Sequence, residues 1–138
     1  MPAYRTFHFK DSNFRIRSDR FAAATAAIRH QRGLLEAYLE RQPEFRSSLV
    51  PLGLLPEAPG IARRMAQAAS RTGIGPMAAV AGTIAQLAAE AALAAGATEA
   101  IVENGGDLYL ASKREVTVGL YAGASPVGSS LAFAVPPD

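Results

Sequence analysis

Apolar and polar residues alternate through the first eighteen positions. Tyr4, Thr6, His8 and Lys10 alternate with Arg5, Phe7 and Phe9, and Phe14 and Ile16 alternate with Arg15 and Arg17. A period of two predicts strands, and Asp11-Ser12-Asn13 predicts the hairpin turn between them. From Asp19 the period lengthens. Asp19 can cap a helix that runs to about Arg41, ahead of Pro43. Phe21, Ala24, Ile28, Leu35, Tyr38 and Leu39 form its apolar stripe, with Gly33 as a weak spot. Residues 43–60 hold four prolines and two glycines and predict a connection with a short strand at about Ser48–Leu52. A second helix is expected from about Ala58 to Thr72, ended by Gly73 in a left-handed conformation. Pro76 suits the first turn of a third helix reaching Gly96, with Met77, Val80, Ile84, Leu87, Ala91 and Ala94 along one face.

Beyond Gly96 the period returns to two. Glu99–Val102 and Leu108–Ala111 predict strands around the turn signal Asn104-Gly105-Gly106-Asp107, followed by strands at Val116–Tyr121 and Leu131–Val135, with residues 122–129 as a loop. Two strands, then helices, then strands predict an α+β fold, with helices packed on one face of an antiparallel sheet in a single domain over residues 1–138.

Composition sharpens this picture at four points. Of the 138 residues, 49% are hydrophobic, but so many are alanine that the core must gain by close packing rather than bulk. With no cysteine, the chain offers no disulfide, thiolate metal site or thiol nucleophile. The opening MPAYRTFHFKDSNFRIRS has no apolar signal-like run, which leads to the expectation of a cytoplasmic protein. The most apolar stretch, Met77 to Gly96, contains Gln86 and Glu90 and is mostly alanine and glycine, so no membrane span is expected.

Charge is uneven. Residues 1–71 carry twelve Lys/Arg and six Asp/Glu, whereas residues 72–138 carry two and six. Arg15, Arg17, Arg29 and Arg32 suggest a nucleic-acid surface, but no aromatic interleaving or recognisable motif accompanies them, and that reading ranks last. The plainer account has the arginines solvating exposed faces and pairing with the acidic half.

Three segments can carry chemistry. Gly73-Ile74-Gly75-Pro76-Met77 is a glycine-rich turn opening a helix, where unpaired N–H groups suit a phosphate or oxyanion. No Lys or Ser/Thr follows in P-loop spacing, and helix punctuation by Gly and Pro explains the same residues. Glu103-Asn104-Gly105-Gly106-Asp107 puts two carboxylates and an amide around two glycines. Glu103 could bind the N–C–N–H edge of a guanine- or pterin-like ring, Asn104 could read a ring edge, and Asp107 could hold a cation or take a proton. A tight hairpin accounts for the segment equally well. In Gly119–Pro126, Tyr121 could stack on a ring and Ser125 could hydrogen-bond a ligand, while a buried tyrosine and a loop serine are the plain alternative. No metal ligands are assigned; His8 and His30 lie too far apart in sequence to suggest a shared site.

Together, GIGPMAAVAG, IVENGGDLYL and GLYAGASP resemble the UPF0280 family, itself similar to ApbE-like proteins, whose best-known members are FAD:protein FMN transferases. The resemblance runs along the chain and includes the YRTF opening and the RQPEF and SSL segments near Arg41–Leu49. It implies a T-fold-like unit and a flavin, FAD/FMN or pterin ligand in coenzyme metabolism, with a transferase or hydrolase-type reaction. Those transferases carry a lysine soon after the glycine turn, and Gly75–Gly82 has none. They bind magnesium partly through a later acidic and threonine motif, so magnesium would need residues outside this chain. What carries over is the ring site at Glu103–Asp107.

The UPF0280 pattern continues past Asp138, so the chain matches the N-terminal half of such a unit. The resemblance therefore implies a complementary C-terminal polypeptide: a subunit, a piece lost to proteolysis or the other product of a processed precursor. A homo- or hetero-oligomer is expected. The alternative function is a non-catalytic binding or assembly subunit.

Overall fold

Phe14, Ile16 and Ser18 alternate inward along one strand, and this alternation sets the layout of the sheet. The computed structural model describes residues 2–120, 123–126 and 131–138. Strands β1 (Arg5–Phe9), β2 (Ser12–Ser18), β3 (Ala100–Asn104) and β4 (Asp107–Ala111) form an antiparallel sheet in the order β1-β2-β3-β4. Register pairs Phe14 with Asn104, Ile16 with Val102 and Ser18 with Ala100. Because side chains alternate along a strand, these six share one face, while Arg15, Arg17, Ile101 and Glu103 share the other.

The inner face is covered by helices. Helix α1 (Phe21–Arg41) buries Ala24, Ile28, Leu35, Tyr38 and Leu39, the predicted stripe, with Phe21 half-buried. Helix α4 (Val80–Ala94) lies against α1, β3 and β4. Helix α3 (Gly60–Thr72) packs on both helices through Ile61, Ala62, Met65 and Ala69. Each fully buried Ile or Leu contributes about 1.5–3 kcal/mol, whereas an alanine buries little more than one methyl group. Small side chains let α4 approach the sheet and α1 closely, so it contributes through contact density. Among the described residues, one helical stretch, Pro76–Ala94, is long and apolar enough by length and composition to cross a bilayer; here one side of it is packed into this core.

Several local expectations change. Asp19 does not cap α1, which starts without a side-chain cap. Its carboxylate instead accepts from the Thr98 N–H at 3.1 Å and the Thr98 hydroxyl at 3.3 Å, tying the loop before β3 to the end of β2. The stretch Ser48–Leu52 is not a strand, and a short helix α2 (Glu44–Ser47) precedes it, anchored by fully buried Phe45. Gly73 does end α3 with φ +75°, and Pro76 opens a 3₁₀ turn, Pro76–Ala79, that leads into α4. The buried face of α4 is Thr83, Ile84, Ala85, Ala88, Ala89 and Ala92. Of the stripe expected on that helix, only Ile84 is fully buried, because close contact favours the smaller side chains.

The last two strands stand apart. Strand β5 (Val116–Gly119) pairs with β6 (Ala132–Val135) in a two-stranded ribbon separate from the main sheet. Arginines of the first half pair with carboxylates of the second: Arg17 with Glu99, Arg15 with Glu103 and Arg64 with Glu90.

Candidate functional site

The hairpin between β3 and β4 closes through Gly105 and Gly106, with φ +56° and +104°. Positive φ at both central positions is the requirement of a type I′ turn, which glycine meets without Cβ strain. This tight turn fixes opposite directions for its carboxylates and amide. Asn104 lies on the helix face, buried, and its Nδ2 donates to the Ala81 carbonyl at the start of α4, at 3.2 Å. Asp107, its register partner, lies alongside. An Asp107 carboxylate oxygen is 3.9 Å from where a Cβ on Gly82 would sit. Glu103 faces the other way.

The five-residue motif is therefore divided between two cavities. On the helix side, a cleft of about 400 Å³ brings Asn104 together with Met77, Val80, Ala81 and Ile84 from the start of α4 and the turn before it. Leu35, Leu39, Arg32, Glu36 and Glu40 of α1, Arg46 of α2, and Asp11 and Ser12 of the first hairpin complete its walls. The floor is aliphatic and the rim charged, the usual make-up of a small-molecule site. Among the described residues, Asn104 is the uncharged polar side chain buried at the base, and its Oδ1 has no side-chain or backbone donor.

On the far side of the sheet, a groove of about 620 Å³ runs between β3–β4 and β5. Ile101, Glu103, Gly106 and Leu108 line one side and Val116–Gly119 another, with Tyr4 and Arg15 at the end. Arg15 Nη1 donates to Glu103 at 3.3 Å, and both side chains are well exposed. The Arg15 and Arg17 guanidiniums lie 4.9 and 5.0 Å from the centre of the Tyr4 ring.

Of the residues marked by the sequence, Met77 and Asn104 share the helix-side cleft, with Asp107 close by, whereas Glu103 and Gly106 border the groove. Glu103 and Asn104 do not converge on one ligand, because neighbours on a strand point to opposite faces. Gly73 and Pro76 punctuate helices. Gly75 is buried where the Ser48 carbonyl crosses it, and a Cβ there would lie 1.8 Å from that oxygen. Ser125 is exposed in the turn at 123–126 and borders neither cavity. Tyr121 lies outside the described residues. Among the described residues no three His, Asp or Glu side chains gather in a metal-binding arrangement.

Pattern reading missed the charged rim. Lys10 Nζ is 2.7 Å from Glu36, and Arg32 reaches Asp11 at 2.8 Å and Glu36 at 3.1 Å. Hydrogen bonds, from Arg32 to Asp11 and from Lys10 to Glu36, are the main cause holding both carboxyls below their usual range. A strand-turn-helix charge cluster of this kind has no fixed spacing, so no motif announces it.

Comparison with known proteins places this geometry in context. The family model described as AbpE bacteria matches residues 4–138. Proteins named UPF0280 protein are similar along most of the chain. The one from Methanocella arvoryzae is 50% identical, covering 77% of this chain and 43% of its own length. That from Methanosarcina acetivorans is 45% identical, covering 91% and 51%. That from Methanosphaerula palustris is 42% identical, covering 96% and 56%. The chain spans about half the length of the curated relatives it matches.

Proposed function

This chain belongs to the family described as AbpE bacteria, and on that premise we propose that it binds the planar ring of a flavin, pterin or nucleotide in the cleft between α1, α2 and α4. The observation that carries this reading is the bond from Asn104 Nδ2 to the Ala81 carbonyl. It seats the Glu103–Asp107 turn on the start of α4, so that two of the three segments singled out by chemistry border one cavity. Aliphatic side chains from Leu35, Leu39, Met77, Val80 and Ile84 can sandwich an apolar ring, while Asn104 Oδ1 can accept from a ring N–H. The proposal includes a T-fold-like, ApbE-like relationship, a cytoplasmic location and a role in coenzyme metabolism. The reaction, a transferase or hydrolase-type step, would use a complementary polypeptide or segment for groups this half does not supply.

Titration of riboflavin and neopterin, followed by ligand fluorescence, tests the reading. One of the rings should bind to the wild type. Ala81→Leu, which fills the cleft from a half-buried position, should weaken that binding at least tenfold with thermal stability nearly unchanged. Binding of neither ring, or no effect of the filled cleft, would refute the assignment.

A second reading, a non-catalytic assembly subunit, is favoured by one specific observation. The β5–β6 ribbon and its flanks expose Leu120, Leu131 and Phe133, the last at 60% of its surface. An exposed apolar strand edge is normally covered by another chain or segment.

A further inference from the structure

Not every charge around the cleft is paired. Lys10 and Arg32 are taken up by Asp11 and Glu36 in a closed network of two cations and two anions. Arg46 and Glu40 remain, and neither has a side-chain partner among the described residues. Arg46 is held on a firm platform. Its neighbour Phe45 is fully buried and packs edge-on against the Tyr38 ring, with centroids 5.3 Å apart. Tyr38 is fixed in turn by hydrogen bonds, donating to Gln42 at 2.6 Å and accepting from the Leu55 N–H at 2.9 Å. The backbone that carries Arg46 is thus fixed beside the cleft, and its exposed guanidinium lines that cleft with a planar fork of donors, which suits a two-point contact with a phosphate.

We propose that Arg46 receives the phosphate of the ring ligand, so that the cleft selects phosphorylated ring compounds over their dephosphorylated forms. The assignment rests on the ring-binding reading above and names the class of ligand within it. Glu40, on the last turn of α1, supplies an acceptor at the same rim for ring or ribityl donors. It also disfavours a ligand that carries a second anionic group near its ring.

Two pairs of probes that differ by one phosphate test this: riboflavin with FMN, and neopterin with its monophosphate. Each is titrated into the wild type, Arg46→Ala and Arg46→Lys. Charge-assisted hydrogen bonds of this kind correspond to a preference of about ten- to a hundredfold for the phosphorylated member. Arg46→Ala should erase that preference, lowering affinity for the phosphorylated member far more than for the unphosphorylated one, while Arg46→Lys should restore part of it. Added salt should narrow the preference without moving riboflavin or neopterin binding. Equal affinity within a pair, or a preference that survives in Arg46→Ala, would overturn the phosphate assignment and leave ring binding standing. Binding of neither member of either pair would remove both.

Discussion

Glu99 is a buried ionisable side chain on which local structure depends. Its carboxylate is 5% exposed and accepts from Arg17 at 2.7 Å, Ser112 at 2.7 Å and Arg114 at 2.8 Å. Burial raises its pKa, but the hydrogen bonds from Ser112, Arg114 and Arg17 outweigh that effect and hold the group below its ordinary value of 4.5. A carboxyl whose folded pKa is depressed contributes stability that is complete above the unfolded value. The contribution is lost as pH falls through the folded value. Glu99→Gln should therefore cost about 3 kcal/mol at pH 7, since it leaves Arg17, largely buried, without a counter-ion. In urea melts, the gap from the wild type should shrink as pH drops below 4.5. A gap that stays constant with pH would refute this. Nothing in the periodicity marks Glu99, because its partners come from β2 and the loop after β4. Asn104 was legible, since Asn before Gly-Gly is a turn signal; its second role, bonding to α4, depends on the approach of a distant helix.

At the scale of elements, the glycine turn between α3 and α4 is a packing device. Gly75 has φ −70° and ψ 153°, which any residue adopts, so backbone freedom does not explain the glycine. The Ser48 carbonyl explains it, since an added Cβ would fall at 1.8 Å. Gly75→Ala should thus destabilise the protein by about 3 kcal/mol or more, because backbone rather than a flexible side chain must move. A shift in melting temperature of less than two or three degrees would show that the Ser48–Leu49 segment yields easily. The three long helices were readable from Pro, Gly and apolar spacing, whereas the short α2 was not. The face that α4 buries was not: sequence spacing favours bulky residues, whereas a helix lying against both a sheet and another helix selects its alanines.

The whole molecule leaves the β5–β6 ribbon exposed, with Phe133 and Leu131 uncovered and no charged residue between Tyr121 and Pro137. Under the assembly reading, sedimentation should show a species heavier than 14.4 kDa, and Phe133→Lys should shift it toward the monomer. A wild type already monomeric across micromolar concentrations would count against the ribbon as an interface. The α+β class, the antiparallel pairing and the order of the elements follow from local rules: alternation makes strands, and glycine and proline set their limits. These act between residues close in the chain and so can be read from it. The bond from Asn104 to Ala81, the clash that requires Gly75, and the meeting of Arg46, Glu40 and Met77 around one cleft follow from the approach of distant segments. These depend on contacts between residues dozens of positions apart, which no local pattern encodes.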